Sequence, residues 1–111
     1  MDENGISKVI VGAAIEVHRW LGPGLLESVY RQCLAHELSL RGFECREEVA
    51  LGAGYKGLEF DTAYRMDMLV EDKVVVELKV VEKLLTVHEA QLLSYLRLSN
   101  RRLGMLLNFH V

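Results

Sequence analysis

The sequence predicts a mixed α/β fold, of the α+β kind, in which helices pack on the faces of one mixed sheet. Two segments near the amino terminus and one near the carboxyl terminus carry apolar residues at helical spacing. Runs of β-branched residues fill the stretch between them, and one more apolar run follows the last helix. The predicted order is α-α-β-β-β-α-β, which indicates this fold class.

The composition fits one compact domain that spans residues 1–111. Half of the residues are hydrophobic and only one is proline, which is enough for one core and too little for two. The first apolar run, residues 9–15, is too short to cross a bilayer and lacks a signal-peptide cleavage pattern. We therefore expect a cytoplasmic protein with no membrane contact. Cys33 and Cys45 are too few for a disulfide framework, so we expect both to be reduced.

The first two elements are predicted helices. The apolar spacing of the first runs from residue 6 to residue 20, and the glycines and proline of residues 22–24 end it. The second helix runs over residues 25–41. Gly42 ends it, because glycine suits the left-handed position just after a helix.

Glu27 is the acid in the first turn of the second helix. On a helical wheel it points inward along the apolar stripe, between Leu34 and Leu38 and close to Tyr30. An inward carboxylate needs a partner, which indicates a functional site. The alternative is structural, because the helix dipole favours an acid in a first turn.

Three predicted strands follow, over residues 43–51, 58–70 and 74–79. A glycine-rich segment, residues 52–57, marks the first turn, and residues 71–73 form the second. With a three-residue second turn, Asp67 lies directly opposite Glu77, and the apolar side chains of both strands share the other face. That apolar set is Met66, Met68, Val70, Val74, Val76 and Leu78.

Asp67, Glu77 and Lys79 are predicted to share one face of this hairpin. Two carboxylates held side by side repel each other, so the arrangement indicates a cation between them. Carboxylate oxygens suit Mg²⁺ or Mn²⁺, and a lysine can orient the water that attacks a phosphodiester. The alternative is a solvated face, because charged residues are common on exposed strands.

A third helix is predicted over residues 86–98 and a last strand over residues 103–109. Thr86 and Glu89 are predicted to form a capping box at the start of the helix. One face of this helix carries three polar side chains that could line a site, His88, Gln91 and Tyr95. The alternative is a half-exposed helix edge, with the histidine in ordinary hydrogen bonding.

The net charge of −3 argues mildly against nucleic acid as a partner, because the summed field repels phosphate. Binding to nucleic acid would have to come from a metal or from a local basic patch. The candidate basic residues are Lys56, Lys79, Lys83, Arg97, Arg101 and Arg102. For each of them taken singly, a solvated surface position is the simpler interpretation.

Four sequence blocks resemble one known family. Residues 24–30, Gly-Leu-Leu-Glu-Ser-Val-Tyr, look like the G-x-x-E-x-x-Y motif that names the GxxExxY proteins. The other blocks are Tyr64-Arg-Met-Asp67, Val76-Glu77-Leu78-Lys79 and His88-Glu-Ala-Gln91-Leu-Leu-Ser-Tyr95. The match runs from about residue 8 to about residue 109 in the same order. That family is similar to the PD-(D/E)XK superfamily of metal-dependent nucleases.

The resemblance implies a restriction-endonuclease-like core and a Mg²⁺- or Mn²⁺-dependent nuclease that acts on DNA, with RNA left open. It makes Asp67 and Glu77 the metal-binding acids and Glu27 a third acid at the metal. Lys79 becomes the catalytic lysine, and Gln91 fixes the phosphate or that lysine. The residues expected to contact the substrate are Tyr95, His88 and Tyr30.

Two rival functions stay open. One is a non-catalytic module that keeps the nuclease scaffold and binds nucleic acid or a partner protein, which the acidic net charge favours. The other is a structural homodimer whose charged hairpin face is a subunit surface. A homodimer is also compatible with the nuclease, because the chain lacks the flanking elements that grip nucleic acid in larger relatives. Met66 replaces the nominal proline of the superfamily, at a position without a chemical role.

Overall fold

The computed structural model describes residues 1–110, which form three helices and one four-stranded sheet. In chain order the elements are α1 (Glu3–Leu21), α2 (Glu27–Leu40), β1 (Cys45–Tyr55), β2 (Leu58–Val70), β3 (Val74–Lys79), α3 (Thr86–Ser99) and β4 (Leu103–Asn108). This order confirms the predicted one, and with it the fold class. Within the described residues, no helix is both long enough and apolar enough to cross a membrane.

The strands lie side by side in the order β1-β2-β3-β4. β1, β2 and β3 are antiparallel neighbours, while β4 returns parallel to β3 after α3. β2 and β3 meet in the predicted register, with Val70 opposite Val74 and Met68 opposite Val76. The turn at residues 71–73 therefore has the predicted length.

Helices cover both faces of the sheet. α1 and α2 pack together on one face, where α1 alone buries Ile6, Ile10, Ala13, Ala14 and Val17. α3 covers the other face over a smaller cluster, formed by Met66, Leu69, Val75 and Tyr95. The two clusters place the sheet between two layers of helix, as the sequence predicts.

Met66 departs from the predicted alternation. It packs beside Tyr95 on the α3 face, not with Met68 on the α1 and α2 face. The regular backbone pairing of β2 with β3 ends at Met68, and beyond it the side chain of Asp67 bonds across the strands instead. The strand leaves its regular alternation at this point, and Met66 turns to the other face.

β1 and β2 continue beyond the rest of the sheet as a two-stranded arm, residues 49–65. The prediction that residues 52–57 form a turn is mostly wrong, because β1 runs on to Tyr55 and only a two-residue loop follows. Gly52 allows a bulge in the arm, where the register shifts. A Cβ atom at Gly52 would lie 2.9 Å from the carbonyl oxygen of Phe60.

α3 begins differently from the prediction. Its N-cap is Leu85, and Thr86 is the first helical residue. Nδ1 of His88 accepts a hydrogen bond from the amide of Leu85 at 3.0 Å. The predicted capping box of Thr86 and Glu89 is therefore wrong, because the helix starts one residue early and the imidazole reaches back in place of the carboxylate.

Candidate functional site

Asp67 and Glu77 hold each other across β2 and β3. The amide of Asp67 donates to Oε1 of Glu77 at 2.9 Å, and the amide of Leu78 donates to Oδ2 of Asp67 at 2.8 Å. Asp67 and Glu77 are the next residues after the last regular pair, Met68 with Val76, and these two hydrogen bonds keep them opposite each other, as predicted. Both carboxyl groups are thus fixed at the point where the regular pairing of the two strands ends.

Glu77 is a buried carboxyl group, with only 4% of the residue exposed. Burial raises the pKa of Glu77 to about 8. The hydrogen bond from the Asp67 amide opposes this rise, whereas the Asp67 carboxylate adds to it. The charged form of Glu77 is therefore disfavoured unless a proton or another cation lies beside it.

Glu27 is the first residue of α2, and it lies at the edge of this acidic pair. Its side chain is exposed, so the prediction that it faces inward is wrong: Glu27 stands at the helix end and not within the apolar stripe. Partial desolvation and the Asp67 carboxylate both raise the pKa of Glu27, and Lys79 opposes them. These electrostatic effects place Glu27 near Asp67 and Lys79.

Lys79 is the last residue of β3 and stands on the face of the two acids. It pairs with Asn108 of β4, and its carbonyl oxygen accepts a hydrogen bond from the amide of Phe109 at 2.8 Å. Its ammonium group opposes the rise in the pKa of both Glu77 and Glu27. The structure thus brings the predicted lysine to the three predicted acids.

α3 contributes Tyr95, which is 4% exposed. Burial raises the pKa of Tyr95 to about 12, and the charges of Glu77 and Asp67 add to the rise. The phenol therefore stays neutral beside the acids. Tyr64 packs edge-to-face on it, with ring centroids 5.3 Å apart. Gln91 is half-buried one helical turn before Tyr95, on the same side of α3.

Two predicted substrate contacts have other partners. Tyr30 is fully buried; its hydroxyl donates to the carbonyl of Gly22 at 2.6 Å and accepts from the amide of Leu25 at 3.2 Å. It fixes the loop that leads into α2. His88 caps α3 through Nδ1. The structure therefore does not bring Tyr30 to the acids, and it gives His88 a structural contact.

Arg31 is a residue of this region that the sequence reasoning missed. Its Nε lies 3.2 Å from Oε1 of Glu47, and its Nη1 lies 3.6 Å from Oε1 of Glu48. Its charge also opposes the rise in the pKa of Glu27, which lies one helical turn earlier. That four-residue spacing on α2 is the signal that could have identified it. Tyr64 begins the matched block that ends at Asp67, but the sequence reasoning assigned it no role in the site.

The arginines near the carboxyl end do not form a patch at this site. Arg101 pairs with Asp72 in the turn between β2 and β3, and Arg102 pairs with Glu3 of α1. The Asp72 turn lies at the opposite end of β3 from Lys79. Lys79 and Arg31 are the cations that the structure places near the acids.

Asp67 and Glu77 are the two hard oxygen donors that stand side by side at this site. Among residues 1–110, no three acids, histidines or cysteines stand close enough to ligate one ion together. In this structure Glu27 therefore does not form a three-ligand cluster with Asp67 and Glu77. Two hard carboxylates suit Mg²⁺, which keeps several of its waters and is commonly bound through one or two carboxylates.

Comparison with known proteins identifies the family. The family model described as the PD-(D/E)XK nuclease superfamily matches residues 4–111. No curated protein and no solved structure was found to match the chain. The finer resemblance to the GxxExxY proteins stays a prediction. Because the family match runs from α1 through β4 and includes the whole site, the chain belongs to the PD-(D/E)XK nuclease superfamily.

Proposed function

We propose that this protein is a metal-dependent nuclease that hydrolyses phosphodiester bonds of DNA, with RNA as the second substrate to test. Membership of the superfamily supports a nuclease-like function in general. The observation that carries the proposal is the opposed pair of Asp67 and Glu77, which backbone amides hold in place. A buried acid beside a second acid is unfavourable without a compensating cation, and Lys79 stands on the same face.

Each acid then has its own role. Asp67 and Glu77 would hold Mg²⁺ or Mn²⁺, and the bound ion would polarise the scissile phosphate. Glu27 would support the ion or a water bound to it, from the rim of the site. Lys79 would orient the attacking water and offset the charge that develops on the phosphate.

α3 would supply the next contacts. Gln91 would hold the phosphate or the amine of Lys79, and the neutral phenol of Tyr95 would donate a hydrogen bond to the strand or to an acid. His88 would reach the substrate through Nε2, because Nδ1 caps the helix. Tyr30 would act indirectly, through the loop that it fixes in front of Glu27.

A second candidate is a module that binds nucleic acid or a partner protein without cleaving. Two observations favour it: the net charge of −3, and the absence of a three-ligand metal cluster among residues 1–110. The presence of both Glu77 and Lys79 on β3 nevertheless supports the nuclease. We therefore rank the nuclease first.

The second copy in a homodimer would cover the arm. The strand pairs on one arm face are Val49–Met66, Leu51–Tyr64, Ala53–Phe60 and Tyr55–Leu58. Every one of these residues is apolar or aromatic, and Tyr55, Leu58 and Phe60 are exposed. An uncharged face can pack on its own copy without repulsion, as a two-fold symmetric contact requires.

A cleavage assay tests the nuclease. Circular and linear DNA, single- and double-stranded, and a single-stranded RNA would be incubated in Mn²⁺, in Mg²⁺ and in EDTA. The proteins would be the wild type, Lys79→Ala and the matched control Lys83→Ala, whose lysine is exposed beyond the end of β3. We expect cleavage that needs metal, fails for Lys79→Ala and persists for Lys83→Ala.

Other outcomes decide between the alternatives. Metal binding and nucleic-acid binding without any cleavage would favour the non-catalytic module. Cleavage that survives both in EDTA and in Lys79→Ala would contradict the proposed site. A wild type that neither binds metal nor binds nucleic acid would contradict the nuclease and would leave only partner-protein binding for the second candidate.

A further inference from the structure

Arg31 joins the acidic site to the edge strand of the sheet. Its side chain is only 15% exposed and extends from α2 to β1, where Glu47 and Glu48 contact different nitrogens of the guanidinium. On the same helix, the charge of Arg31 opposes the rise in the pKa of Glu27. The guanidinium therefore contacts two carboxylates of β1, and it lies one helical turn from the carboxylate of Glu27.

Glu48 has a backbone conformation that few residues adopt inside a strand. Its φ is 49°, in the left-handed region that disfavours side chains with a Cβ atom. It lies between two regular pairs of β1 with β2, Glu47–Met68 and Val49–Met66, and so across from Asp67. Such strain persists only where surrounding contacts hold it, and it is common at functional sites. The side chain of Glu48 contacts Arg31, with Oε1 3.6 Å from Nη1.

The excess of negative charge at the site makes a phosphate group the expected partner of Arg31. A nucleic-acid backbone must approach three acids, Glu27, Asp67 and Glu77, on a protein whose net charge is already −3. Lys79 and Arg31 are the cations near those acids. A guanidinium offers the same fork of donors to a carboxylate and to a phosphate, so one can replace the other.

We propose that Arg31 binds a backbone phosphate of the substrate, and that Glu47 and Glu48 occupy its guanidinium until the nucleic acid displaces them. This inference rests on the proposed function, since it names a substrate contact of that same site. The two glutamates then act as competitors of the substrate. They lower the affinity for nucleic acid, and they hold the arginine in place while the site is free.

The ordinary alternative is that Arg31 only ties α2 to β1. The two interpretations differ in the sign of one effect. If the ion pairs are only structural, removing either side of them weakens the fold and brings no gain in binding. If the glutamates compete with phosphate, removing their charge strengthens binding of nucleic acid, whereas removing the arginine weakens it.

The test measures affinity for fluorescein-labelled single-stranded and duplex DNA by fluorescence anisotropy, in Ca²⁺ and at several salt concentrations. The variants are Arg31→Gln, Arg31→Lys and the double variant Glu47→Gln/Glu48→Gln. The matched controls are Arg41→Gln and Glu37→Gln, an ion pair of the same helix. Thermal melts of every variant report on folding. Arg31→Lys keeps the charge and so guards against a loss that comes only from misfolding.

We expect Arg31→Gln to weaken binding about tenfold, as the loss of one charge-assisted hydrogen bond predicts. The slope of log K against log salt should fall by about one. The double variant should bind about threefold tighter, within the range of an exposed ion pair. Arg31→Lys should lie between Arg31→Gln and the wild type, and the controls should match the wild type.

Three results would overturn the inference. If wild type and Arg31→Gln bind equally well, the proposed function stands and the role of Arg31 is wrong. If the double variant binds more weakly than the wild type, the glutamates support the site and do not compete with the substrate. If the wild type binds no DNA in any condition, the proposed function and this inference are both wrong.

Discussion

Glu77 is a carboxyl group that is buried beside another carboxyl group. Its pKa is about 8 in the folded protein, against an ordinary value of 4.5. Between these pH values the folded state holds a proton that the unfolded chain releases, so the free energy of unfolding falls as the pH rises. This fall in the free energy of unfolding is complete once the pH exceeds the pKa of Glu77 in the folded protein. At high pH, therefore, ionised Glu77 lowers the stability of the metal-free protein.

This gives a pH prediction for the metal-free protein. In EDTA, the melting temperature should fall steadily from pH 5 to pH 8. The variant Glu77→Gln should show a much smaller fall, because it carries no proton to lose. Glu59→Gln, on the exposed arm, should behave like the wild type. Circular dichroism melts across this range measure the effect, and a wild-type melting temperature that rises with pH would contradict it.

Asp67→Asn should separate metal binding from folding. The amide oxygen of asparagine can still accept the hydrogen bond from Leu78, so the fold should persist with little loss. Millimolar Mn²⁺ should raise the melting temperature of the wild type, because a hundredfold excess over Kd adds about 2.7 kcal/mol to the free energy of unfolding. It should not stabilise Asp67→Asn. Asp61→Asn, on the arm, is the matched control, and an equal shift in all three proteins would contradict the metal site.

At the scale of residues, the sequence predicts those features of the site that depend on the alternation of side chains along a strand. Two opposed acids and a lysine follow from the alternation of side chains and the length of the turn, and the structure confirms that register. Parity fails at Met66, where a side-chain hydrogen bond replaces the backbone pairing. The alternation of side chains also does not predict the ion pairs of Arg31, whose partners are 16 and 17 residues away in the sequence, on another element.

At the scale of elements, α3 depends on a close approach to β4. Gly104 lies under Leu92, and a Cβ atom at this glycine would lie 2.8 Å from Cδ1 of that leucine. The absence of a side chain thus lets the helix settle on the strand. Because α3 carries Gln91 and Tyr95, this contact also sets the distance of both residues from the acids.

Gly104→Val should therefore disturb the site as well as the fold. We expect a loss of about 1–3 kcal/mol in the free energy of unfolding, as overpacking typically causes. Activity should fall further than the stability loss explains, because α3 must move outward. Gly54→Val is the control, since a Cβ atom there meets only the flexible carboxylate of Glu59. Urea unfolding and cleavage rates measure both effects, and equal results for the two variants would contradict the argument.

The order of the elements could be predicted because each long segment has one clear period. The predicted ends of β1 and α3 were wrong where two local sequence signals compete. The glycines of residues 52–57 indicate a turn, yet a bulged strand also uses glycine. A threonine and a glutamate indicate a capping box, yet His88 lay closer to the actual N-cap. In both cases two local structures compete for the same residues, and the residue pattern does not rank them.

At the scale of the whole molecule, the arm makes the protein elongated, with extents of 48 × 32 × 20 Å. β3 pairs only with residues 68–70 of β2, so the outer arm has no third strand beside it. Two-stranded hairpins are marginally stable by themselves, and apolar side chains remain exposed on one face. A second copy is the cover proposed above.

The double variant Leu58→Glu/Phe60→Glu should convert a dimer into a monomer. Both side chains lie on the uncharged face, where four new carboxylates per dimer would repel each other. Glu59→Lys also changes the charge by two units, but on the opposite face of the arm, and should leave the dimer intact. Sedimentation equilibrium measures the mass, and a wild type that is monomeric at high concentration would contradict the dimer.

The position of β4 in the sheet has a consequence for the synthesis of this protein. β3 carries Glu77 and Lys79, and its second neighbour is β4, the last strand to leave the ribosome among those described. Until Phe109 has been added and bonds to the carbonyl of Lys79, β3 is an open edge and the lysine lacks its tether. Chains grow from the amino terminus, and their early parts begin to fold first. A growing chain that has not yet reached β4 therefore lacks both the second neighbour of β3 and the hydrogen bond to the Lys79 carbonyl, so the backbone of this lysine reaches its final position only late in synthesis.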